Sequence, residues 1–205
     1  MIDTIIDIFH GDATDLAKVQ KQDGIIAVIH KATQGAHFTD SSYSARKKQA
    51  KDLGLLWGAY HFGTTDHVEA QVDHFLSTAD ADEDVLIALD FEEDPHGLNM
   101  TIQQARDFVE LIQEKTGRFP IIYGANLLRE ALGSTIDPLL KKCPLWYARF
   151  REVPIGIPPT FKDFTLHQFT DGHNGPEPHD TGGRPCDRNR FKGTEKQLKD
   201  QWPFS

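Results

Sequence analysis

Five times in succession a short apolar run is followed by a segment with helical spacing, and this alternation constrains the fold more than any other feature of the chain. The runs are Thr4–Phe9, Ile25–Thr33, Leu55–Phe62, Val85–Phe91 and Phe119–Gly124. Each is too short for a buried helix and is rich in β-branched or aromatic residues, so each reads as a strand covered on both faces. Helices fill the gaps: Ala13–Gln22, Ser41–Leu53, one opened by Asp66, one opened by the capping pair Thr101 and Gln104 and closed by Gly117, and Asn126–Leu132. Helical periodicity then vanishes after Leu140. Pro144–Phe150, Phe164–Thr170 and Cys186–Phe191 read as three further strands, joined by a Pro-rich connection (151–163) and by a loop rich in Gly, Pro and His (171–185). Eight mostly parallel strands predict one α/β domain, an incomplete TIM-like (β/α)5β3 barrel with helices after strands one to five only. An open doubly wound sheet is the alternative, but no Gly-rich phosphate loop follows the first strand, so nucleotide binding has no support.

The fourth run ends abruptly in acids, as Leu89-Asp90-Phe91-Glu92-Glu93-Asp94. Side chains alternate along a strand, so Asp90 and Glu92 share one face about 6.6 Å apart and Phe91 takes the other. Two carboxyls on one wall suit glycosidic cleavage, in which one acid releases the leaving oxygen and a second group supports the oxocarbenium-like transition state. An N-cap cluster before the following helix is the plainer reading of the same acids. In a barrel the site lies at the C-terminal ends of the strands, which collects Asp7, Asp90, Glu92 and Asp187, with Tyr60, His61, Tyr123, Trp146, Tyr147 and Gln168 nearby. Like charges gathered without partners cost stability, so their convergence points to a site rather than to packing. The aromatics are then sugar platforms, or else ordinary core residues.

Bulk properties narrow the function classes. With 39% hydrophobic residues and a net charge of −9 without basic clusters, the chain has no electrostatic footprint for nucleic acid or an anionic membrane. No run is long enough to span a bilayer, and MIDTIIDIFHGD has neither the basic start nor the cleavage site of a signal peptide. A monomer is expected, with no membrane insertion. Cys143 and Cys186 lack zinc-type spacing and read as buried free thiols, or less simply as a disulfide. The ten histidines, among them His10, His30, His61, His167, His173 and His179, show no H-x-H or H-x-x-x-H spacing, so neither a metal nor a cofactor is expected.

The ordered series Ile6-Asp7-Ile8, Lys31-Ala32-Thr33-Gln34-Gly35, Gly58-Ala59-Tyr60-His61-Phe62, Leu89-Asp90-Phe91-Glu92, Pro120-Ile121-Ile122-Tyr123, Leu145-Trp146-Tyr147-Ala148, Gln168-Phe169-Thr170 and Asp187-Arg188-Asn189 resembles glycoside hydrolase family 25, the Chalaropsis-type lysozymes. The resemblance runs almost the whole chain. It implies a (β/α)5β3 barrel and cleavage of the β-1,4 bond between N-acetylmuramic acid and N-acetylglucosamine in peptidoglycan strands. It also implies Glu92 as general acid, Asp90 as the carboxylate that orients the 2-acetamido group or the attacking water, and Asp7 and Asp187 as flanking acids. A catalytically weak glycan- or partner-binding protein on the same barrel is the alternative. The chain is expected to be one catalytic barrel over 1–205 with no separate wall-binding domain, reaching the wall after lysis or by non-classical delivery. Two departures from the family pattern, Phe9-His10-Gly11-Asp12 after the first strand and His167 before Gln168, are expected to alter the groove walls.

Overall fold

The structure is a computed structural model and describes residues 1–204. Eight strands form the barrel: β1 (Ile2–Ile8), β2 (Ala27–Gln34), β3 (Leu56–Phe62), β4 (Leu86–Phe91), β5 (Ile121–Gly124), β6 (Leu145–Ala148), β7 (Leu166–Asp171) and β8 (Asp187–Phe191). Strands β1 to β7 follow one another in parallel, and β8 runs antiparallel between β7 and β1. The parallel pairing of β1 with β2, Ile5 opposite Ala27, closes the ring. Five helices follow the first five strands: α1 (Leu16–Asp23), α2 (Tyr43–Asp52), α3 (Val68–Ala79), α4 (Ile102–Thr116) and α5 (Asn126–Leu132). The predicted capping box is present at α4, where Thr101 and Gln104 satisfy each other's backbone N–H groups and Gly117 ends the helix in the left-handed region. No helix lies between Phe150 and Phe164, and none of the described helices is long and apolar enough to cross a membrane.

One expectation fails. A sixth helix, α6 (Glu195–Gln201), follows β8, opened by a second capping box of Thr194 and Gln197. Its short, charged sequence has one apolar side chain facing inward, Leu198, too little for periodicity to register. Only tertiary packing gives it a role. Leu198, Trp202 and Phe204 enter the apolar cluster of the barrel interior, Phe204 stacks on Phe191 at 5.6 Å, and the Trp202 indole N–H reaches the carbonyls of Trp57 and Asp84. The segment therefore stoppers the end of the barrel opposite the acids.

Strand alternation sorts side chains into two layers. Ile6, Ile8, Val28, Trp57, Ile87, Leu89, Phe91, Ile122 and Tyr147 point outward against the helices. Ile5, Ala27, Ile29, Leu86, Ala88, Ile121, Tyr123, Trp146 and Leu166 fill the interior. Gly58 lets the layers pack closely there, since a Cβ would lie 3.2 Å from the side chains of Ile29 and Leu86. The interior thus grades from an aliphatic and aromatic plug at one end to polar groups at the other.

Candidate active site

At the polar end Asp7, Tyr60, Asp90, Glu92, Tyr123, Trp146, Phe150, Gln168, Asp171 and Asp187 line a pocket of about 210 Å³. Asp90 continues the inward face of Leu86 and Ala88, and Glu92 extends it past the strand end, while Phe91 packs outward. Asp187 reaches the same rim in an unforeseen way. It stands at the start of β8, not its end, because β8 is antiparallel and its first residue faces the last inward residue of β1, Asp7.

Asp7 is the hub of the polar network. Its carboxyl accepts from Gln168 Nε2 at 3.0 Å and from Asn189 Nδ2 at 2.7 Å, and hydrogen-bonds the Asp187 carboxyl. The Tyr123 hydroxyl donates to Gln168 Oε1 at 2.9 Å, and the Trp146 indole N–H donates to Asn189 Oδ1 at 2.6 Å. Each amide is thereby held in one orientation, and both aim an N–H at Asp7. Two chains, Tyr123–Gln168–Asp7 and Trp146–Asn189–Asp7, make the pocket floor rigid. Asn189, which the family resemblance names without a role, faces inward because it stands two residues beyond Asp187 on β8.

Burial dominates the proton affinities. It raises Asp7 to about 6, against the pull of its amide donors. Burial and the charges of Asp7 and Asp12 raise Asp187 to about 9, so the facing Asp7 and Asp187 carboxyls hold a proton between them near neutrality. Glu92 is raised to about 7, by burial first and by Asp7 second. Asp90 is held well above the usual carboxylate range by burial and by Glu92, and its buried Oδ1 has no hydrogen-bond partner in the structure. Lys31, on the inward side of β2, is the cation that opposes these shifts at Asp90 and Glu92. Its ammonium lies 4.8 Å from the Phe62 ring and donates to Gln34.

A stability profile follows. Unfolded carboxyls release their protons near pH 4, whereas Glu92, Asp90 and Asp187 hold theirs higher when folded, so over this range the native state binds more protons and stability falls as pH rises. The buried histidines His30, His61 and His167 have lowered pKa values and give the opposite slope, but only below about pH 6.5. Between pH 6.5 and 8.5 the urea midpoint should therefore drop, by on the order of 1–2 kcal/mol in stability, and Asp187→Asn should flatten the slope. A midpoint that rises over this window would contradict the assignment.

Two predicted groove residues lie elsewhere. His61 and Tyr147 occupy outward positions of β3 and β6, one residue out of phase with Tyr60 and Trp146. His61 is fully buried, bonded to Thr33 Oγ1 at 2.7 Å and Gln71 Oε1 at 3.1 Å and stacked on Phe108. The Tyr147 hydroxyl donates to the Gly156 carbonyl at 2.8 Å and anchors the Pro-rich connection. His167 likewise forms no groove wall. It is fully buried on the outward face of β7, with Nε2 2.7 Å from the Arg149 carbonyl and its ring against Phe164 and Phe169. The expected change to the groove wall at His167 is therefore absent, because strand phase turns the imidazole away from the pocket. Both cysteines are buried free thiols, and among the described residues no three His, Cys, Asp or Glu side chains are grouped so as to hold a metal ion.

The pocket and its barrel have relatives. Lysozyme M1 of Streptomyces globisporus is 27% identical over an alignment covering 94% of this chain and 69% of the relative. The autolytic lysozyme of Clostridium acetobutylicum is 28% identical over 71% of this chain, which matches 44% of that protein's length. The muramidase of Acremonium alcalophilum superposes with a TM-score of 0.82 at 26% identity, covering 97% of both chains. Residues 6–177, from the strand carrying Asp7 to the loop beyond Asp171, match the family described as Glycosyl hydrolases family 25. With its barrel closed as the motif series implies and its acids drawn to one rim, the chain belongs to glycosyl hydrolase family 25.

Proposed function

We propose that the protein is a peptidoglycan hydrolase that cleaves the β-1,4 bond between N-acetylmuramic acid and N-acetylglucosamine. The observation that carries this reading is the convergence of Asp7, Asp90, Glu92 and Asp187 with Tyr60, Tyr123 and Trp146 in one pocket, where burial raises the carboxyls above their ordinary range and two amide donors favour the ionised form of Asp7. Near neutrality such a set contains both a carboxyl able to give a proton and a carboxylate able to stabilise positive charge.

In this reading Glu92 protonates the leaving glycosidic oxygen, since it extends past the end of β4 into the pocket and burial raises its pKa to about 7. Asp90, one inward step deeper with an unpartnered oxygen, orients the substrate's acetamido group or the attacking water. Asp7 stays ionised and supports charge developing at the anomeric carbon, held in place by Gln168, Asn189 and the proton shared with Asp187. Tyr60, Tyr123 and Trp146 present aromatic walls to the sugar in the pocket.

Digestion of purified peptidoglycan provides the test. Soluble muropeptides with new reducing ends at N-acetylmuramic acid are expected. Ends at N-acetylglucosamine would reassign the bond, and glycan that is retained but not cut would leave a binding protein instead.

A further inference from the structure

We propose that an aromatic shelf outside the pocket, formed by Phe9, His10 and Phe38, is a second sugar subsite that takes a pyranose ring of the same glycan strand that enters the pocket. The proposal rests on the hydrolase reading and extends it to residues that the chemistry does not use.

Phe9 follows β1 and Phe38 lies in the short ladder beyond β2, so both stand on the rim that carries the acids. They are 40% and 42% exposed, although phenylalanine is a side chain usually buried. His10 lies between them, with ring centroids 5.1 Å from Phe9 and 5.8 Å from Phe38. Scattered exposed apolar residues need no explanation, but a contiguous row beside a site does.

The row is held rigidly. His10 bonds the buried Asp40 carboxyl through both its backbone N–H, at 2.8 Å, and Nδ1, at 2.9 Å. Ser42 donates to the same carboxyl through its backbone and its hydroxyl. The Phe9 N–H donates to Asp12 Oδ2 at 2.8 Å, and its carbonyl accepts from Arg46 Nη1 at 2.8 Å. The Phe9 ring lies against Gly11, where a Cβ would come within 2.5 Å of it. With these bonds in place Phe9 and Phe38 still leave 40% and 42% of their surface open to solvent. The rings are inclined to one another, at 85° between Phe9 and His10 and 49° between His10 and Phe38, so each phenylalanine offers its own face, and a ring already held in place loses little conformational freedom when a sugar's C–H face packs on it.

Continuity with the pocket selects the occupant. Lys31, whose charge acts on Asp90 and Glu92, also lies 5.6 Å from the Phe38 ring and so bridges pocket and shelf. On the far side, four strands round the eight-stranded ring from β2, Phe150 follows β6, lines the pocket and is 37% exposed. Exposed rings on opposite sides of one mouth suit a linear polymer laid across it.

The test uses Glu92→Gln protein, which should bind without turnover, titrated with peptidoglycan glycan fragments of two and six sugars by calorimetry. The longer fragment is expected to bind more tightly, and Phe9→Ala with Phe38→Ala should remove about three- to tenfold of that gain. Phe9→Trp, which keeps a flat face, should retain it. Should the double variant fail to fold, Phe9→Leu, apolar but not planar, is expected to lose part of the gain. If the parent shows no gain with length, or if the gain survives in the folded variants, the shelf is overturned and the pocket reading stands. If neither fragment binds the parent, both readings fall.

Discussion

Glu92→Gln is expected to lower peptidoglycan cleavage by roughly two or more orders of magnitude while leaving the fold intact. The glutamine amide matches the carboxyl in shape but has no acid proton to give. Burial and the nearby Asp7 charge place Glu92 near a pKa of about 7, where a carboxyl is both substantially protonated at neutral pH and acidic enough to transfer its proton. The same causes make the ionised side chain costly to the fold, so the variant should melt no lower than the parent at pH 8. Rates of muropeptide release combined with thermal melts of both proteins check this. Undiminished cleavage by a folded Gln variant would remove Glu92 from the role of general acid. Asp90→Asn should be similarly severe, because the Oδ1 that finds no partner within the protein is the atom left for the substrate.

Leu198→Ala should destabilise the protein by about 2–5 kcal/mol, the range for truncating a buried leucine. Leu198 is fully buried in the interior cluster and is the one buried side chain of α6. Its loss opens a cavity at the base of the barrel beneath the interior faces of the strands, next to Trp202 and Phe204. Since the acids lie at the other end of the barrel, cleavage at 25 °C should persist and the loss should appear in the urea midpoint. A change below 1 kcal/mol would mean that the segment after β8 does not seal the barrel.

The barrel was legible because its evidence is local. Buried parallel strands appear as unbroken apolar runs, and their helices carry both a period and caps, as Thr101 with Gln104 illustrates. Helix α6 was not legible, since a helix that contributes one leucine to the core has no stripe to read, and its value lies in what it covers.

The candidate site divides along the same line. Asp7, Asp90 and Glu92 could be assigned to one rim from strand ends and alternation alone, as could Tyr60, Tyr123, Trp146 and Gln168. His61, Tyr147 and His167 each sit one residue out of phase with a pocket residue, so the strand phase decides between lining a groove and packing against helices, and proximity in sequence does not. Asp187 needed the direction of β8, a long-range pairing invisible in its own residues. Residue types and their two-residue alternation determined that Asp7, Asp90 and Glu92 meet at one rim. Only the closed barrel decided their burial and their amide and acid partners, hence which carboxyl keeps its proton, because desolvation and hydrogen bonding depend on atoms distant in sequence.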